Sequence, residues 1–317
     1  MEIDEVDPKE YQRIFGDPYV VFNSVSFNQL NAHKCESVKY LIFSEGKPQL
    51  GLIAGLRDGE LFSPFSAPYG GFIAATHSDH MNTQMAAVEL LDEYVKKKRA
   101  RAVHITLPPT FYNETFISKQ ASALLNAGYS LAAMDLNSLY PLSYFDESYA
   151  KNLPDSAKWG LKKSLRSGLV FSIATNSREK ELCYEILREN RELKGRLIKM
   201  TFQEVLSTSE IIPADFFLVK NEVARVAAAI VFQVNPMVAQ VVFWGALPKY
   251  NSLQPSNFLA FKLWEFYKQR GIQIIDVGPS SNNGVPDAGL VKFKESLGCK
   301  LSLKLSFYRE FNPNVIP

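Results

Sequence analysis

Cysteine is scarce and poorly placed for chemistry. Cys35, Cys183 and Cys299 are odd in number, far apart and in no C-x-x-C pattern, which argues against a disulfide framework or a cysteine zinc site. Histidine is sparse as well: His33 and His104 are isolated, and His77 and His80 form an H-x-x-H pair with no Cys or Glu-rich stretch to complete a metal shell, so no metal is expected. No run approaches the eighteen apolar residues of a membrane span. The opening MEIDEVDPKEYQRIF is acidic and has no apolar signal core, and together these predict a cytoplasmic protein without a membrane span. An excess of one charge is also missing. A net charge of +2 over 317 residues argues against a dedicated nucleic-acid surface and leaves room only for a local basic patch.

What is present is an ordinary globular composition, 46% hydrophobic and 21% charged, in a chain long enough for two medium domains. After a polar lead, an extended piece and a short helix fall between Asp17 and Asn31, and strands start at Val38, Gln49 and Glu60. Tyr69, Gly70 and Gly71 follow; paired glycines beside an aromatic let backbone approach a ligand or another strand, and a plain loop turn explains them equally well. Thr83 to Arg99 reads as a helix whose cationic end suits the C-terminal dipole. Tyr140 to Pro154 reads as a connector. Lys158, Lys162 and Arg166 then stack at i, i+4 and i+8 beside Trp159, either as a grip for phosphates or as a solvated helix face. A long amphipathic helix from Arg178 to Lys194 and a shorter one from Thr201 to Leu206 precede three strands, of which the last two are joined at Asn235-Pro236 as an antiparallel hairpin. Pro255-Ser256-Asn257 offers an N-cap for a helix from Phe258 to Arg270.

The chain is organised around Ile272 to Phe307: a short apolar strand, a loop of Gly, Pro, Ser and Asn, a helix between about Pro286 and Leu297, Gly298 as its stop, and an alternating strand. Leu290, Phe293, Lys294 and Leu297 share one helical face, so a lysine interrupts a stripe that should be buried. Either its stem snorkels to water, or the ammonium lines a cavity. The same unit recurs 170 residues earlier, where Pro109, Gly128 and Leu131 match Pro279, Gly298 and Leu301. In that copy Leu124 stands opposite Lys294 and Thr106 opposite Asp276, as expected if only the second copy keeps a site. Tyr69-Gly70-Gly71 and Trp244-Gly245 are the glycine-aromatic pairs upstream of the two copies.

This order of elements resembles the GNAT acyltransferase fold, and its duplication resembles the FemABX aminoacyl-tRNA-dependent transferases and related FemAB-like acyltransferases. The residues that carry the likeness are Tyr69-Gly70-Gly71, Trp159 to Val170 around Lys162 and Arg166, Ile275-Asp276-Val277-Gly278, and the closing G-L-x-x-F-K-x-x-L-G from Gly289 to Gly298. The resemblance implies an α+β protein of two tandem GNAT-like domains, 1–140 and 141–317, each with a mixed, mostly antiparallel sheet flanked by helices. It implies transfer of an acyl or aminoacyl group to the primary amine of a small-molecule or nucleotide-linked substrate, such as a cell-envelope or polysaccharide precursor. Lys294 would steady the oxyanion, and Asp276 would serve as base or as an anchor for the amine. Tyr69, Gly70, Gly71, Lys162, Arg166, Trp244 and Ser280 would contact substrate. The donor would be acyl-CoA or an aminoacyl-tRNA. Pro248 to Asn257, where a CoA pyrophosphate loop should lie, has no glycine, which counts against acetyl-CoA. Two other readings remain, a non-catalytic tandem binding module and an S-adenosylmethionine methyltransferase suggested by Ile275-Asp276-Val277-Gly278-Pro279.

Overall fold

A computed structural model describes residues 1–75 and 80–311, so His77 of the H-x-x-H pair lies outside the described residues. The polar lead is more ordered than its composition suggests. Glu2–Val6 forms strand β1, and Pro8–Phe15 forms helix α1, whose cap Asp7 accepts from the Lys9 and Glu10 amides ahead of a proline in the first turn. Helix α2 (Val25–Leu30) follows, then strands β2 (Ser37–Glu45), β3 (Lys47–Arg57) and β4 (Glu60–Ser63) and the short β5 (Ile73–Ala74). Helix α3 (Met81–Lys98), β6 (Ala102–Thr106), α4 (Glu114–Asn126) and β7 (Ser130–Pro141) complete the first copy of the repeat.

The expected connector contains a one-turn helix, α5 (Tyr149–Asn152), and the basic segment is α6 (Asp155–Leu165). Then come β8 (Val170–Ile173), α7 (Ser177–Glu192) and α8 (Phe202–Ser209), which opens on a Thr201–Glu204 capping box. Strands β9 (Ala214–Lys220), β10 (Arg225–Asn235) and β11 (Val238–Ala246) are antiparallel neighbours, as the turn at Pro236 requires. Helix α9 (Pro255–Gln269) starts at its proline, with Gln254 in a left-handed conformation before it. The expected side-chain cap is absent because the helix begins at Pro255, which leaves Ser256 and Asn257 inside its first turn and Gln254 at the cap position. Strand β12 (Ile274–Pro279), the small ribbon β13 (Ser281–Asn282) and β14 (Val285–Pro286), α10 (Ala288–Ser296) and β15 (Lys300–Glu310) close the chain.

The chain divides into two compact units, one of residues 1–136, 281–285 and 302–317, the other of 137–280 and 286–301. Relative to a cut after residue 140, the boundary falls at 136/137 and two later segments join the first unit. In the first unit the strands run β1-β2-β3-β4-β6-β15, antiparallel throughout except for the parallel pair β4–β6 across α3. In the second they run β8-β9-β10-β11-β12-β7, antiparallel except for the parallel pair β11–β12 across α9. The pattern is therefore the same in both, and the sixth strand of each unit is supplied by the other half of the sequence. The core of the second unit is built around fully buried Trp264, stacked on Tyr140 at 5.0 Å, with Leu259, Leu263, Ile275 and Leu297 about it. In the first unit Tyr11, Tyr40, Ile42 and Ile53 form a cluster under α1.

The helix stops repeat to the level of single hydrogen bonds. Gly128 and Gly298 both have φ of 87°. The amide of Tyr129 bonds the carbonyl of Leu124, and the amide of Cys299 bonds that of Lys294, each the long-range bond of a glycine C-cap. Leu124 and Lys294 therefore occupy the same place in the same local backbone.

Candidate functional site

Lys294 is 2% exposed, which removes the snorkelling alternative. Its Nζ donates to the carbonyls of Gly278 at 2.8 Å and Pro279 at 2.9 Å, at the C-terminal end of β12. An ammonium has three donors, so these two bonds leave a third N–H with no partner among the described residues. Burial lowers the pKa from the usual lysine range to about 8, against the opposing pull of Cys299 and Asp276; Arg191 adds to the lowering. At neutral pH the side chain is still mainly a cation. The Cys299 thiol, buried beside it, is pushed up to about 12 by burial.

Asp276 is fully buried, on the same strand. Its Oδ1 accepts from Asn137 Nδ2 at 2.8 Å and from the Gly278 amide at 2.9 Å, and its Oδ2 accepts from Gln240 Nε2 at 2.9 Å. Gly278, in the left-handed region with φ of 76°, is thus held from both sides, its N–H by Asp276 and its carbonyl by Lys294. The sequence pattern placed these two charges in one chemistry. The structure brings them together through one peptide.

The other expected contacts separate into groups. Ser280 is fully buried and bonds Ser138 Oγ at 2.8 Å, and its carbonyl accepts from Asp287. Trp244 is half-buried with its ring 5.9 Å from Phe293 of α10. The glycine after it serves packing: a Cβ at Gly245 would lie 2.5 Å from Asn190 Oδ1, whose amide is fixed on the Ala246 carbonyl. Tyr69, Gly70 and Gly71 belong to the first unit. Tyr69 is buried against Phe22 and Tyr112; a Cβ on Gly70 would meet Ser63 and Pro64; Gly71 has φ of 86° against Leu107 and Gln120. Lys162 and Arg166 are exposed on or just beyond α6, with Lys163 lying over the exposed Trp159 ring.

Two features were not singled out from sequence. The first is a cationic group at the end of α7, in the run RELKGRLIK from Arg191. Arg191 and Lys194 are both lowered, chiefly by burial and then by the neighbouring cations, and Arg196 pairs with Asp287 Oδ2 at 3.0 Å, the cap of α10. Four cations in nine residues, interrupted by Gly195, were the available signal; their closeness to Lys294 was not. The second is a cavity of about 370 Å3 lined by Ser156, Asn251, Gln254, Asn257, Phe293 and Ser296. The first turns of α6 and α9 both border it, and the free amides and positive dipole ends there suit an anion. Among the described residues no cluster of His, Cys, Asp and Glu could hold a metal, and no helix is long and apolar enough to cross a membrane.

No family model matches the chain, and no curated protein matches it in sequence. Solved structures do match, in fold. FemX is 12% identical with a TM-score of 0.72 over 98% of each chain. The L-PGS from Bacillus licheniformis is 14% identical, with a TM-score of 0.57 over 99% of this chain and 94% of its own. A tandem GNAT protein from the clavulanic acid biosynthesis pathway is 11% identical, with a TM-score of 0.55 over 88% and 84%. The α+β fold expected from the sequence, FemABX-like and tandem GNAT in type, is therefore the fold of this chain, and its mostly antiparallel sheet is unlike the doubly wound sheet of the methyltransferase reading.

Proposed function

We propose that the chain is an acyltransferase that moves an acyl or aminoacyl group from a phosphate-bearing donor, a CoA thioester or an aminoacyl-tRNA, to a primary amine. The observation that carries this reading is the buried ammonium of Lys294, with one N–H left over beyond its two carbonyl bonds. The amine attacks the donor carbonyl carbon, negative charge gathers on the carbonyl oxygen, and that N–H meets it in a site from which water is excluded. As the tetrahedral intermediate collapses, the thiolate or ribose oxygen leaves and takes up the proton that the amine gives up.

Asp276 acts in this scheme as a positioning residue. All three of its described donors come from the protein, so it sets the Gly278 peptide against which Lys294 is aimed. The cavity at the first turns of α6 and α9 suits donor phosphates, with Lys162 and Arg166 as further contacts on or near α6. Arg191, Lys194 and Arg196 suit an anionic group of the acceptor, as in a nucleotide-linked amino sugar of a cell-envelope or polysaccharide precursor. Both donors are made in the cytoplasm, where the reaction would run.

The test is turnover with CoA esters and with charged tRNA, using UDP-linked amino sugars as acceptors. Lys294→Met is expected to lower kcat by on the order of 100- to 1,000-fold while the thermal midpoint moves little, because losing two carbonyl bonds is offset by no longer burying a cation. An active Lys294→Met enzyme would remove the lysine from the mechanism. A non-catalytic module is favoured by one observation, that two backbone carbonyls already suffice for a purely structural lysine. Lack of turnover with every donor, together with a large stability loss in Lys294→Met, would decide for it.

A further inference from the structure

The first unit contains a cavity of about 410 Å3 bordered by Phe15, Tyr19, Asn23, Phe72, Phe116 and Ile117 among others. We propose that it is a second small-molecule site, for a neutral ligand with an apolar body and an amide edge. The proposal does not rest on the transfer chemistry of Lys294.

Charge decides part of the ligand class. No charged side chain lines the cavity among the described residues, so an ion would enter without a counter-charge and lose its hydration. The walls are mainly aromatic and aliphatic, which suits a flat apolar group. The remaining part comes from Asn23. It is 8% exposed and borders the cavity, and no hydrogen bond reaches its amide among the described residues. Its neighbours differ. Asn28 Nδ2 donates to the carbonyls of Phe22 and Ser24, and Asn31 Nδ2 to that of Phe27. Gln120 lines the same cavity, yet its amide is spent on both backbone groups of Phe72, accepting from the N–H and donating to the carbonyl. One buried amide thus fixes the wall, and the other borders the space with no hydrogen bond to a described residue. An asparagine offers one acceptor and two donors side by side, and a ligand answers both kinds with a secondary amide or an equivalent edge.

N-benzylacetamide, a benzyl group on a secondary amide, is a suitable probe, with propylbenzene as its counterpart lacking the polar edge. Titration of the full chain is expected to give at least tenfold tighter binding of the amide, with nuclear Overhauser contacts from its ring to the Ile117 methyl groups. In Asn23→Leu, which keeps the size and removes the polar atoms, the preference should vanish while the thermal midpoint holds or rises. Equal binding of the two probes to the wild type, no contact at Ile117, or a preference that survives Asn23→Leu would each overturn the site. If Asn23→Leu fails to fold, the wild-type contact map and probe preference decide alone.

Discussion

A single ammonium in a greasy setting ties two pH responses together, with opposite signs. Lys294 releases its proton near pH 8 in the folded chain and near 10.5 in the unfolded one, so between those values the unfolded chain binds more protons and stability rises with pH. Compared with Lys294→Met by urea denaturation at pH 7.5 and pH 10, the wild type should gain up to about 3 kcal/mol at the higher pH. Catalysis should run the other way. If the cation holds an oxyanion, kcat falls as pH climbs through about 8, whereas a lysine acting as base would give a rising limb there. Asp276 makes a separate prediction: Asp276→Ala strands the Asn137, Gln240 and Gly278 donors and should cost about 2–4 kcal/mol, with kcat lowered and its falling limb displaced to lower pH, because the carboxylate helps Lys294 keep its proton. Leu124 serves as the chain's own blank, since it is buried at the corresponding turn and carries no charge.

At the scale of elements, packing between helix and strand sets the tolerances. Gly245→Ala would push a methyl into Asn190, which is tied to Ala246 and cannot swing away without losing that bond; a loss of about 1–3 kcal/mol is expected by chemical denaturation. Strand β1 is held by its Glu5 carboxylate. Burial alone would raise its pKa, but bonds from Lys98, Lys39 and Tyr94 outweigh that and bring it to about 2. Its contribution is present above pH 4.5 and is lost as pH falls toward 2, so Glu5→Gln should flatten the acid limb of the stability curve. The sequence revealed most elements of the second unit, because the hairpin at Pro236 and the stripe of α10 have clear periods. It concealed β1 and α1, whose composition is polar and whose order comes from the Asp7 cap and from contacts many residues away. Lys294 was legible as an exception to a pattern. The Arg191 group was not, since a charged helix end is commonplace until its distance to another cation is known.

On the scale of the whole molecule, the two units follow one plan, and each takes its sixth strand from the other half of the sequence. A contiguous cut could not anticipate this, because apolar alternation marks β7 and β15 as strands without stating which neighbour they choose. A chain ending at Leu301 would lose Phe307, 1% exposed and paired with Ile105, as well as the Arg309 contacts to Asp92 and the Ala127 carbonyl. Such a chain is expected to lose the near-ultraviolet dichroism of the first unit and to expose its amides to rapid hydrogen exchange along β6. The exchange of strands also orders events at the ribosome. Residues synthesised first must wait, one sheet edge unsatisfied, until 302–310 have left the exit tunnel, so a protein that looks like two beads on a string by composition would mature in reverse, its oldest part closing last.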